Sequence, residues 1–112
     1  MTHNGRPIRI QRIPFPVKTC GGATIRRPAE YLVLVNESVT PIQQRHALGH
    51  ELAHIYLGHL EKVAGLAADS AGIVEDDALE REANRHAWAF YRAYRDGDLQ
   101  AGRMPAITGK TV

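Results

Sequence analysis

Between Pro41 and Leu57 only Arg45 and Glu51 carry a formal charge. Thr40 is suited to N-cap a helix there, Pro41 suits the first helical position, and Gln43 completes a capping box. Gly58 is placed to end it. A helix without a broad polar face has to be covered on most sides, so it belongs at the centre and the rest of the chain folds around it.

The flanking elements are simpler. Ile8, Ile10 and Ile13 mark a strand, which Pro14 and Pro16 interrupt. Gly21-Gly22 signals a turn with a short return strand over Ala23 to Arg26. "YLVLVN", Tyr31 to Asn36, is the clearest strand, and a small antiparallel sheet is expected. A second helix is expected from about Asp76 to Arg95, with Asp76 and Asp77 at its positive end. Residues 1–7 read as a loose arm, 59–75 as a loop with a possible helical turn, and 97–112 as a mobile tail. The 112 residues are expected to form one domain.

Composition excludes several function classes. The net charge is only +2 with both signs interleaved, which gives no strong drive onto nucleic acid or a membrane surface. No apolar run approaches the roughly 20 residues needed to span a bilayer, and no secretory leader is visible. Cys20 is the single cysteine and cannot form an internal disulfide, which fits a reducing, cytoplasmic setting. Beside the Gly21-Gly22 turn it reads as a small packing residue.

The central helix carries His50-Glu51-Leu52-Ala53-His54, an H-E-x-x-H pattern. Chance gives this pattern roughly 2 % of the time in a chain of this composition. His50 and His54 are about 40° apart around the axis and about 6 Å apart along it, so both imidazoles can reach one ion. Burying two histidines and a carboxylate is costly unless they have partners. Glu51 lies about 100° from His50, too awkward for a ligand but well placed to face an attacking water as general base. His46 is about 12 Å along the axis from His54, too far to join one ion, and reads as a polar core or cleft residue. His59, beyond Gly58, is either a surface histidine or one near the cleft.

A third ligand has to come from elsewhere. On the second helix Leu79, Ala83, Ala87, Phe90 and Tyr94 define a buried face. With Leu79 at zero, Glu82 falls near −60° and His86 near −20°, both inward, and Glu80 near 100° points away at the margin. Glu82 is therefore the expected third ligand, leaving one position open for water. The alternative for Glu82 is a rim carboxylate paired with an arginine. His86 is a supporting partner or an alternative ligand.

"YLVLVN", "QQRHALGHELAHIYLGH" and "EREANRHAWAF" in this order resemble the ImmA/IrrE family of small zinc metallopeptidases. The resemblance spans roughly residues 30–91. It implies an α+β, zincin-like fold, with the sheet packed on a central H-E-x-x-H helix and a second ligand-bearing helix. It also implies a Zn2+ cofactor held by His50, His54 and Glu82, with Glu51 as the catalytic glutamate of an endopeptidase. Its flanks leave no room for the further domains of many relatives, so it looks like a minimal core of the kind found in phages and mobile elements. The implied partner is a protein substrate, a helix-turn-helix repressor, with no direct contact to nucleic acid or membrane. A regulator that keeps the zinc fold and acts only by binding its partner is the rival, as is a purely structural zinc site, and neither needs Glu51. His86 stands where the family usually has an aromatic residue. An extended substrate is expected along the edge of the Tyr31–Asn36 strand. An oxyanion stabiliser is expected among His59, His86 and Tyr91.

Overall fold

The structure, a computed structural model, describes residues 1–16, 20–64 and 76–107. Four strands, β1 (Thr2–His3), β2 (Arg6–Ile13), β3 (Gly22–Arg26) and β4 (Tyr31–Asn36), precede three helices, α1 (Pro41–Tyr56), α2 (His59–Ala64) and α3 (Asp77–Arg95). The sheet order is β1-β2-β4-β3. β4 pairs antiparallel with β3 but parallel with β2, where Ile8 lies opposite Tyr31 and Ile13 opposite Asn36. The sheet is thus mixed, which corrects the expected antiparallel arrangement. The reason lies in β4. All but one of its residues are buried, so it takes the middle of the sheet with a neighbour on each edge. β2, with exposed Arg9 and Gln11 alternating with better buried Ile8 and Ile10, accepts a more open place.

Residues 1–7, read as an arm, contain β1 and the start of β2. Asn4 and Gly5, with φ of 52° and 76°, form the two-residue turn between them. Positive φ at both positions is the requirement of a type I′ hairpin, and Asn-Gly is its usual sequence. β2 stops at Ile13, where Pro14 can no longer donate to the ladder.

α1 has the predicted capping box. Gln43 N donates to Thr40 Oγ1 at 3.3 Å, and Thr40 N donates to Gln43 Oε1 at 3.0 Å. It ends at Leu57, with Gly58 beyond it at φ 77°. Its Leu48, Leu52 and Ile55 pack with Tyr31, Val33 and Val35 of the sheet and Phe90 of α3 to form the core. α3 begins one residue after Asp76, whose carboxylate accepts from Ala78 N and Leu79 N. The stretch expected as a loop begins with α2, and its remainder, 65–75, lies outside the described residues, as does 108–112. Leu99 of the tail is buried in the core.

The two long helices come into close backbone contact at Gly49. A Cβ built there would lie 1.9 Å from the Ala87 carbonyl oxygen. Against an ordinary contact of about 3.5 Å, Gly49→Ala forces the helices apart by roughly 1 Å or more, because a backbone atom cannot rotate away. We expect this substitution to destabilise the protein by about 1–3 kcal/mol or more. A denaturant midpoint indistinguishable from wild type would show that the helices are not in this contact.

At the other end of the sheet, buried Asn36 ties three segments together. Its Nδ2 donates to Cys20 O at 2.9 Å, and its Oδ1 accepts from Phe15 N and Ser38 N at 3.1 and 2.9 Å. This anchors the backbone from Cys20 to Gly22 beside α1. Gly21 and Gly22 permit the approach, since a Cβ on Gly22 would lie 3.0 Å from Leu34 O and 3.2 Å from Glu51 Cγ.

Candidate metal centre

One turn of α1 separates His50 from His54, and their Nε2 atoms lie 3.0 Å apart. Glu80 of α3 completes the group. Its Oε2 is 2.8 Å from His50 Nε2 and its Oε1 is 3.3 Å from His54 Nε2. Ligands bonded to tetrahedral zinc at 2.0–2.1 Å are separated by about 3.3–3.4 Å, so the three donors already stand near that spacing.

The outer nitrogens explain why the inner ones are available. His50 Nδ1 donates to Asn84 Oδ1 at 2.7 Å, and His54 Nδ1 lies 2.9 Å from His59 Nδ1. With the Nδ1 proton of His50 placed on Asn84, its bare Nε2 lone pair faces the Nε2 of His54 and a carboxylate. Such an arrangement is repulsive until a cation is shared among them. Burial first, then the neighbouring His50 and His59, push the His54 imidazole down to about 3, so it stays neutral near pH 7. The donor set therefore fits a borderline-soft divalent ion with nitrogen and oxygen ligands.

Glu82, the expected ligand, is not in this group. Its Oε1 is 2.5 Å from His59 Nε2 instead. The placement of the two carboxylates has a physical cause. The buried face of α3 runs through Ala83, His86, Ala87, Phe90 and Ala93. A site with an open coordination position cannot sit at the centre of that face, because water and substrate have to reach it. It forms on the flank carrying Glu80 and, one turn later, Asn84, while Glu82 lies on the opposite flank towards α2. The i, i+4 pair of an acid and an amide, one grouped with the histidines and one accepting from His50, was the available signal.

Glu51 is 8 % exposed, and Thr24 of β3 donates its hydroxyl to Glu51 Oε1 at 2.7 Å. Burial pushes the Glu51 carboxyl up from its ordinary value. The Thr24 hydrogen bond and His50 oppose the rise, and Glu80 adds to it. This is the direction that suits a general base working near neutral pH.

His50, Glu51, Glu80 and Asn84 open onto a cleft of about 610 Å³, walled by Gly22 on one side and by Ile42 and Trp88 on the other. His46 lies in this cleft with its ring edge-on to Trp88 at 5.3 Å, and burial followed by His50 lowers its pKa. None of His59, His86 and Tyr91 is among the described residues lining the cleft. His59 and His86 are buried, at 0 % and 3 % exposure.

Two helices thus bring H-E-x-x-H and an acid together beneath a sheet edge, the arrangement of a metallopeptidase centre. A family model described as the IrrE N-terminal-like domain, Peptidase M78, matches residues 4–96. The chain belongs to this metallopeptidase family. No curated protein and no solved structure matches it. No helix among the described residues is long and apolar enough to cross a membrane.

Proposed function

We propose that the chain is a zinc-dependent endopeptidase whose substrate is a helix-turn-helix repressor of a phage or mobile element, acting in the cytoplasm. The observation that carries the chemistry is the meeting of the His50 and His54 Nε2 atoms and the Glu80 carboxylate beside the buried carboxylate of Glu51. His50, His54 and Glu80 would hold the ion. Zinc in that place supplies Lewis-acid polarisation of the scissile carbonyl and lowers the pKa of water. Glu51 takes the proton of the attacking water and delivers it to the leaving amine, while Thr24 fixes the orientation of the carboxylate. Asn84 holds the His50 ring in its ligating orientation.

The sheet supports one place for the substrate. Both edges of β4 are taken, so it cannot pair a peptide as first expected. The outer edge of β3, continuous with Gly22 and bearing Thr24, is the edge beside the cleft. An extended peptide adding there runs past Glu51 with its backbone held by main-chain hydrogen bonds.

The partner is tested directly. The purified protein alone leaves a DNA probe unshifted at physiological salt. Added to the complex of the neighbouring repressor with its operator, it releases the DNA and yields repressor fragments by mass spectrometry. Release without fragments would favour a regulator that acts by binding. Neither release nor cleavage would remove the repressor as substrate while leaving the metal chemistry to be judged on its own.

A further inference from the structure

Glu82 and His59 take no part in the chemistry above, although both are tied to it through His54. His59 opens α2 and is 0 % exposed, so both ring nitrogens need partners inside the protein. It has them, with Nε2 2.5 Å from Glu82 Oε1 and Nδ1 2.9 Å from His54 Nδ1. The direction of each bond follows from the last acceptor. An ionised carboxylate can only accept, so His59 Nε2 carries the proton. In the neutral form of the imidazole Nδ1 is then bare and accepts from His54 Nδ1. His54 is left with its lone pair on Nε2, the atom facing His50 and Glu80. If His59 held its proton on Nδ1 instead, it would donate to His54 and place the His54 proton on Nε2, where it would block the ion.

We infer that Glu82 and His59 are positioning residues that select, through two successive imidazoles, which nitrogen of His54 is presented to the metal. The inference rests on the metal reading only for its consequence, since the tautomer itself is a property of the metal-free chain. It also gives the two carboxylates of α3 different tasks. Glu80 would hold the ion directly, and Glu82 would act on it from the far side of a histidine pair.

The experiment uses the whole chain with histidine labelled in nitrogen-15. Long-range proton–nitrogen spectra of metal-free protein read the His54 tautomer, and competition with a chromophoric chelator reads zinc affinity. In wild type, His54 is expected to carry its proton on Nδ1. Glu82→Gln leaves an amide that can donate or accept, so His54 becomes a mixture of tautomers and zinc affinity falls. His59→Phe fills the same space without an acceptor and weakens zinc by about 10–100-fold. His59→Asn, which returns an oxygen acceptor near the Nδ1 position, recovers most of that loss, and a purely packing role for His59 would not give this recovery. Should His59→Phe fail to fold, Glu82→Gln decides the matter alone, since that carboxylate is only partly buried. An unchanged His54 tautomer and wild-type zinc affinity in Glu82→Gln would overturn the relay. Wild-type protein that binds no zinc would instead overturn the metal assignment, and the tautomer spectra would still decide the relay.

Discussion

Glu51→Gln should leave the metal in place and lower hydrolysis of a quenched fluorescent peptide library by about 10²–10⁴-fold. The amide keeps the size of the carboxylate and can still accept from Thr24, but it cannot take a proton from water. The remaining activity reports what the ion and the cleft achieve without a base. Wild-type protein should show an acid limb in kcat/KM above the ordinary carboxylate value, because burial raises the Glu51 pKa and the base form is lost as pH falls through it. Thr24→Val removes a hydrogen bond that favours the charged form, so that limb should move to still higher pH. Cleavage at the wild-type rate by Glu51→Gln would remove Glu51 as the base and leave a protein that works by binding.

Glu80→Ala should weaken metal binding by more than about 100-fold, exceeding the 10–100-fold loss expected when an orienting partner is removed. Its carboxylate reaches both histidines, and no other carboxylate among the described residues groups with that pair. Glu82→Ala should lose affinity as well, but only by the smaller factor, through His59. Metal content by elemental analysis and affinity by chelator competition distinguish the two. Tight metal binding in Glu80→Ala with loss in Glu82→Ala would return the ligand role to Glu82.

What could be read from the sequence was mostly what neighbouring residues decide. Thr40, Pro41 and Gln43 mark the start of α1 and Gly58 its end, because caps are satisfied within one turn. Asp76 and the apolar spacing after it mark α3 for the same reason. His50, Glu51 and His54 lie on one helix, so their convergence needs no knowledge of the rest of the chain. The parallel pairing of β2 with β4 joins strands with β3 between them in sequence, and no local signal encodes it. The choice between Glu80 and Glu82 depended on how α3 is rotated against α1. The helical wheel located the core face correctly through Ala83, Ala87 and Phe90, but an open metal site forms at the border of that face. The Asn4-Gly5 hairpin was legible, and reading the first seven residues as an arm overlooked its turn chemistry.

The contact of Gly49 with the Ala87 carbonyl has a bearing on the geometry of the candidate metal site. Gly49 immediately precedes His50, and Ala87 lies on the same helix as Glu80, so backbone contact fixes the distance between the candidate ligands of the two helices. Side-chain rotamers can adjust a ligand by small amounts, but they cannot narrow or widen that gap on their own. The interhelical spacing therefore sets how far the Glu80 carboxylate stands from the two imidazoles. With donor separations of 2.8 to 3.3 Å it stands at the setting for short metal–ligand bonds. A wedge of roughly 1 Å at Gly49 would carry Glu80 away from the two imidazoles of α1, so the site would lose hold of a small ion before any ligand had been changed.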